Sequence, residues 1–399
     1  MRGLQDLESR KVTRFALLGR NYHGVNFEVL CKEGDRVRAG AVLMRDARRP
    51  EIRFCTPRAG TVAAIERGAR RRLIALQIEI DDNVGAENFE APNGSEPAAL
   101  RRFLLETGAW CSLRTRPFGK IPHPDSEPAA VFVTALDAEP SAPEPRPIID
   151  ACYDEFRAGI NLLSNLDEAP LFVCHAPGHR LEFDHPERVQ CVPFVGGHSA
   201  GLPGVHIHAL CPIGLDGAEV WHLGYQDVIA IGHLLLHGSP WTQRVVSLGG
   251  SAVRNPRSLR VAPGAPVDEL LAGELLDVPH RVLAGSSIYG RPVDASARFL
   301  DAGARQVTAL ETGPADAGDP GPRSVPLIPG ETLERLAPPG ILAVPLLRAL
   351  QIGDAERALQ LGALELGEED LAPLSHACVS NSDYGRLLRR VLDQLEGAR

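Results

Sequence analysis

Residues 33–68 read EGDRVRAGAVLMRDARRPEIRFCTPRAGTVAAIERG, a run whose turn formers recur every few residues. Gly34-Asp35 makes one tight turn, Gly40 a second, and Thr56-Pro57 with Gly60 a third. Between them Val37, Val42, Leu43, Val62 and Ile65 supply the apolar positions of short strands. This grammar predicts a small β-sandwich, extending over residues 14–80.

Sandwiches of this punctuation include those that carry biotin or lipoate, and a working carrier needs a lysine at its exposed hairpin tip. Here the tip reads Met44-Arg45-Asp46-Ala47-Arg48-Arg49-Pro50, without a lysine. Arginine is no substitute, because its guanidinium stays protonated and is not acylated as an amine would be. The module is therefore expected as a shape, not as a swinging arm.

With 399 residues the chain has room for two to four domains, and 44% apolar with 23% charged residues is ordinary globular composition. A net charge of −9 argues against a nucleic-acid partner, since phosphate binding needs clustered Lys and Arg. The one arginine cluster, RGARRR at 67–72, reads as a solvated hairpin turn. The first residues lack the apolar core of a signal peptide, and no segment has the uninterrupted apolar length of a membrane span. A soluble, cytoplasmic chain is expected, reaching a membrane only through a partner. The eight cysteines include no C-x-x-C pair, so spacing announces neither a zinc ribbon nor an iron–sulfur cluster. Most sit in apolar runs such as LFVCHA and VQCVPF, as reduced core thiols do.

Beyond the sandwich, the acidic stretch 81–95 reads as a linker and a helix follows from Glu96 to about Thr107. From 96 to 250 the pattern is α/β: strands at 129–136, 170–174, 189–195, 205–210, 220–223 and 244–248, with helices at 147–166 and 225–236. Such alternation argues for a mostly parallel, Rossmann-like sheet. Residues 251–311 form a β-grasp-like module: the strand SLRVAPG, a brief helix at 266–271, and the strand RVLAGSSIYG. The Pro/Gly/Asp-rich 312–330 reads as a linker, and 331–399 as short helices, the last with Leu387, Leu388, Val391, Leu392 and Leu395 on one stripe.

A nucleotide site in such a sheet would need a glycine loop between strand and helix. The one candidate, Gly249-Gly250, is followed by SAVRNP, which opens no helix, so a turn leaving the sheet is preferred. Nine of the thirteen histidines fall between His175 and His237. His175 and His179 straddle Pro177-Gly178; His206 and His208 would share a strand face; His233 and His237 could share a helix face, but no carboxylate or cysteine stands at partner spacing. Histidines making ordinary hydrogen bonds are preferred to a metal site, and Ser286-Ser287 has no recognisable base. The segment WCSLRTRPFGKIP, residues 110–122, is too broken for a helix and carries two arginines, a lysine and two large aromatics. Trp110, Arg114, Arg116, Phe118 and Lys120 are its candidates for an interface or anion contact, the alternative being a loop packed on its own domain.

In order along the chain, RFALLGRNYHGVNFEVLCKEGDRVRAGAVLMRD, FCTPRAGTVAAIERG, TGAWCSLRTRPFGKIP, GLPGVHIHALCPIG, VWHLGYQDVIAIGHLL, QRVVSLGGSAVRNPR and LGALELGEEDL resemble the NqrA family, the A subunit of the bacterial sodium-translocating NADH:quinone oxidoreductase. The resemblance runs from Arg14 to about Tyr384. It implies a peripheral protein on the cytoplasmic face of the inner membrane, docked on the integral membrane B subunit. The whole complex passes electrons from NADH to ubiquinone and exports Na+, using flavins and iron–sulfur centres. The implied role is docking, with a contribution to quinone access, ubiquinone being a further candidate partner; no catalytic residue is named. The resemblance also implies kinship with the C subunit of the Rnf complex and the nucleotide-binding flavoprotein subunit of respiratory complex I. Their glycine-rich loop corresponds to 110–118, where Trp110, Leu113, Arg114, Arg116 and Phe118 would fill the cofactor's space. No cofactor bound by this chain is expected. Departures are a shortened lead-in GLQDL, a short stretch between Ala302 and Pro345, and Cys378-Val379-Ser380-Asn381-Ser382 in place of a cysteine-proline-glycine element. The competing readings are an adaptor of an Rnf-like complex and an independent flavin- or NAD-linked oxidoreductase.

Overall fold

The computed structural model describes residues 7–137, 139–184, 187–215, 218–293, 298–313 and 326–398. The N-terminal module folds as expected from its turns. Strands β1 (Arg14–Leu18), β2 (Phe27–Val29), β3 (Arg36–Val37), β4 (Val42–Asp46), β5 (Arg53–Cys55), β6 (Gly60–Arg67) and β7 (Leu73–Ile80) form two sheets, ordered β1-β7-β6-β3 and β2-β4-β5. Phe15, Leu43, Ile52, Phe54, Val62, Leu76 and Ile78 are buried in their shared core. The arginine cluster lies in the β6–β7 hairpin turn, with Arg70 to Arg72 exposed. The lysine-free tip between β4 and β5 is tied down: Arg49 Nε donates to the buried Asp46 carboxylate at 2.9 Å and its Nη1 to the carbonyl of Ile121 at 3.3 Å.

Helix α1 (Pro97–Glu106), with Pro97 at its first position, precedes the edge strand β8 (Arg114–Arg116) and the central strand β9 (Val131–Ala135). The expected helix over 147–166 is two, α2 (Pro145–Ala151) and α3 (Tyr153–Ser164), because Cys152 leaves helical geometry at φ −124°. Strands β10 (Leu171–His175) and β11 (Val189–Pro193) follow, with Cys191 exposed. The expected strand at 205–210 is instead α4 (Pro203–Leu210). The alternation in VHIHA mimics a strand, but Pro203 sits where a helix tolerates it and Ile207 and His206 pack inward. Then come β12 (Val220–Gly224) and α5 (Tyr225–His237). The sheet order is β11-β10-β9-β12-β8, with β11, β10, β9 and β12 parallel and β8 antiparallel.

Strand alternation sets both faces of this sheet. Val131, Val133, Leu171, Val173, Trp221 and Leu223 face a core shared with Phe156, Ile160 and Val228 of α3 and α5. Their neighbours Phe132, Phe172, Cys174 and Val220 face a second core, built by the C-terminal helices. On the first face α3 and α5 cross antiparallel at two glycines. A Cβ on Gly232 would lie 1.7 Å from the Glu155 carbonyl oxygen, and one on Gly159 2.3 Å from that of Val228, so only glycine permits this approach.

The strand expected at 244–248 in the α/β sheet belongs instead to the third module, which contains β13 (Arg244–Gly249), β14 (Arg257–Val261), α6 (Val267–Leu271), β15 (His280–Ala284), β16 (Arg291–Pro292) and β17 (Gln306–Glu311). Its sheet order is β14-β13-β17-β15-β16, so β13 pairs with β14 and β17. The strand expected through 290 ends at Ala284, where Gly285 takes φ +115° and the Ser286 hydroxyl accepts from the N–H groups of Ile288 and Tyr289. Gly249 ends β13 and Gly250, at φ +105°, turns the chain out of the sheet, where a Cβ on it would meet the Ala309 carbonyl at 2.1 Å. Of the linker reading at 312–330, residues 314–325 lie outside the described residues. Helices α7 (Glu331–Leu336), α8 (Ala343–Ile352), α9 (Ala355–Gln360), α10 (Ala372–Ala377) and α11 (Tyr384–Gly397) close the chain, with Leu388, Val391 and Leu392 of α11 buried on the second core. Among the described residues no helix is long and apolar enough to cross a membrane.

Candidate functional site

The segment singled out at 110–120 lies where three modules meet. A tight turn organises it: Thr115 N–H donates to the Lys120 carbonyl at 2.8 Å, Gly119 N–H to the Thr115 carbonyl at 2.9 Å, and the Thr115 hydroxyl to the Pro117 carbonyl at 3.0 Å. Phe118, at the turn's apex, has φ +80°.

Each candidate side chain has a definite place. Trp110 is fully buried, its ring edge-on to Trp221 at 5.3 Å, its Nε1 donating to the Pro122 carbonyl at 3.1 Å, with the Arg101 guanidinium 5.4 Å from the ring. Arg114 turns to the sandwich, donating to the Asn21 carbonyl at 3.1 Å and lying 5.2 Å over the Tyr22 ring. Arg116 is 3% exposed and turns the other way, to the Glu369 carboxylate and to Asp370 at 4.0 Å. The Phe118 carbonyl accepts from Arg389 of α11 at 2.6 Å, and Lys120 Nζ reaches Glu396 at 2.5 Å. The segment, open to reading as a contact surface or as a packed loop, spends most of its charge inside the chain, clamping the sandwich and the C-terminal helices to the α/β sheet.

The far side of the clamp is strongly acidic. Glu368, Glu369 and Asp370 come from one short turn, with Arg389 holding Glu368 through paired contacts of 2.7 and 2.9 Å. Burial, and then the Glu369 charge, push the Asp370 carboxyl up to about 7, against the pull of Arg116 and the Gly367 N–H. Burial works against the charge on Arg116, yet Glu369, Asp370 and Glu368 together hold it above its ordinary value. Burial opposes ionisation of Glu368, but the Arg389 hydrogen bonds keep it below the usual range. His222 of β12, opposite Arg114 of β8, is held well below its ordinary value by burial and then by Arg116 and Arg114, so it is neutral, and its Nε2 has no hydrogen-bond partner.

Sequence reasoning missed the acidic half because its residues are some 250 positions from Arg116; the only trace was the run EED in LGALELGEEDL. The histidines divide. His179 bonds Asp150 at 3.0 Å, the buried His206 bonds the Ala200 carbonyl at 2.7 Å, and His208 bonds Glu365 at 2.7 Å. Since α4 is a helix, His206 and His208 do not share a face. His233 and His237 do share one, and the fold supplies the carboxylate their sequence neighbourhood lacks: Glu155, from the first turn of α3.

Comparison with known proteins finds three domain matches in order along the chain. Residues 5–81 match the NqrA N-terminal barrel-sandwich hybrid domain, 95–240 the NqrA second alpha/beta domain, and 245–295 the NQRA C-terminal domain. The chain is 38% identical to the A subunit of the Na(+)-translocating NADH-quinone reductase of Neisseria meningitidis serogroup A, over 420 residues covering 96% of this chain and 94% of that protein. It is 37% identical to the Pseudomonas aeruginosa PAO1 protein of that description, over 97% of this chain and 94% of that one. The aligned spans exceed the chain's 399 residues, so the relatives carry insertions relative to it. Among solved structures, an NAD+-reducing [NiFe]-hydrogenase chain aligns at TM-score 0.40 and 13% identity, over 76% of this chain and 62% of that one. Three domain matches in order and full-length similarity lead to one conclusion: the chain belongs to the NqrA family, the A subunit of the Na(+)-translocating NADH-quinone reductase.

Proposed function

We propose that this chain is a cofactor-free docking subunit of such a reductase. It sits on the cytoplasmic face of the membrane through the integral B subunit, where it shapes access for ubiquinone. The observation that supports the reading is the use of 110–120: Trp110 and Leu113 are fully buried and the arginines are clamped between modules, in the segment that, by the family resemblance, corresponds to a glycine-rich loop of cofactor-binding relatives, where a phosphate would need bare backbone. Redox chemistry, in this reading, belongs to the flavins and iron–sulfur centres of other subunits. Trp110, Arg114, Arg116, Phe118 and Lys120 act as an internal keystone. They hold three modules in one arrangement, so that the surface offered to partners is set before docking and binding does not have to order it.

The test is to purify the full chain and the complex separately. The isolated chain is expected to be colourless, to release no flavin on denaturation and to give no signal in an NADH titration. Affinity purification from native membranes is expected to bring down the integral membrane partner. A yellow chain, or one recovered without respiratory subunits, would overturn the proposal and favour an independent oxidoreductase.

A further inference from the structure

The crossing of α3 and α5 has a chemical consequence. Because Gly232 and Gly159 let the two backbones approach so closely, the side chain of Glu155 reaches the face of α5 that carries His233 and His237. One nitrogen of each imidazole and one carboxylate oxygen lie within 4.8 Å of one another. The imidazoles are one helical turn apart with ring centroids at 4.4 Å, and His237 Nε2 stands 3.8 Å from Glu155 Oε1. Nδ1 of His233 is buried without a hydrogen-bond partner. His237 is half exposed, which leaves an approach from solvent.

We infer that Glu155, His233 and His237 form a binding site for a divalent cation of the zinc class. Two imidazoles and one carboxylate on rigid helices are a donor set suited to Zn2+, with a fourth position left to water. A tetrahedral ion with bonds of about 2.1 Å sets its ligands about 3.4 Å apart. The present separations, all within 4.8 Å, leave the remaining closure to side-chain rotation on binding. The helix ends act in the same sense: the first turn of α3 stabilises the Glu155 carboxylate, and the carbonyl end of α5 favours a cation beside His237. The site stands apart from the clamp at 110–120 and does not depend on the assembly role.

The structure carries its own reporter, since the Trp241 ring lies 4.8 Å from that of His233. The experiment uses the full chain without a histidine tag, stripped of metal and titrated with Zn2+ by calorimetry, with Co2+ by visible absorption and with Ni2+ by tryptophan fluorescence. One equivalent of Zn2+ is expected, with four-coordinate Co2+ absorption and with Ni2+ quenching that the Trp241→Phe variant loses. His237→Ala changes a half-exposed side chain and leaves the fold intact. It should weaken binding by more than the roughly 10–100-fold that removing a partner of a metal ligand costs. Glu155→Gln should weaken it as well. The inference is overturned if the wild-type chain takes up no stoichiometric Zn2+, which would leave Glu155 and His237 as an ordinary side-chain contact. It is equally overturned if both variants bind like the wild type.

Discussion

Replacing Arg116 by methionine tests the clamp at its most buried point. The Arg116 side chain is 4% exposed and Asp370 is fully buried, while Glu369 keeps 35% of its side-chain exposure. Removing one partner from a buried ion pair costs about 3–5 kcal/mol, because the other charge remains without compensation. Asp370 offers partial relief, since burial and Glu369 already push its carboxyl up to about 7 and loss of Arg116 raises it further. Near neutral pH it takes up a proton and the cost falls to the lower bound, about 3 kcal/mol. The cost should shrink at pH 5.5, where Asp370 is already protonated, and grow at pH 8.5, where Asp370 in the wild type is ionised and needs its partner. In a multidomain chain a single unfolding free energy is ill defined, so the assay is native-state hydrogen exchange of α11 amides, Leu388 and Val391 among them. A local loss of about 3 kcal/mol raises their exchange about 100-fold at pH 7. A change below about 0.5 kcal/mol, the range of ordinary surface substitutions, or one that did not vary with pH, would refute the reasoning.

Other outcomes follow from the same contacts. Because the folded-state value of Asp370 is raised, the native protein holds a proton that the unfolded chain has released, and wild-type stability falls as pH climbs from the ordinary carboxylate range through about 7. The Asp370→Asn variant lacks this loss, so its melting temperature relative to wild type should be higher at pH 8 than at pH 5; a difference independent of pH contradicts the assignment. Gly232→Ala should destabilise by about 1–3 kcal/mol through overpacking against the Glu155 carbonyl. Helix propensity alone predicts a gain of about 1 kcal/mol, so a raised melting temperature would show that the helices do not cross as described. The Lys120–Glu396 pair is partly exposed on both sides. A double-mutant cycle should give a coupling below about 1 kcal/mol that weakens with salt, far less than the Arg116 effect.

Much of the architecture was legible in local patterns. Turn formers between short apolar runs announced the sandwich, and the stripe from Leu387 to Leu395 announced α11. Misreadings occurred where two periods coincide or a break lacks punctuation. VHIHA alternates like a strand yet folds as a helix behind Pro203, and Cys152 interrupts a helix with neither glycine nor proline to mark it. The site was only half legible. Residues 110–120 stood out by composition, but their partners Glu369, Asp370, Arg389 and Glu396 sit in a distant segment whose proximity exists only after the C-terminal helices cover the second face of the sheet. Glu155 was invisible beside His233 for the same reason, since what joins them is a glycine-lined helix crossing, not a spacing.

The reductase assignment meets its most direct test in a strain lacking this chain. Its membranes are expected to lose sodium-stimulated NADH:quinone reductase activity and the assembled complex, and to recover both when the wild-type chain is supplied. Membranes that kept full activity, with the remaining subunits assembled normally, would contradict the account.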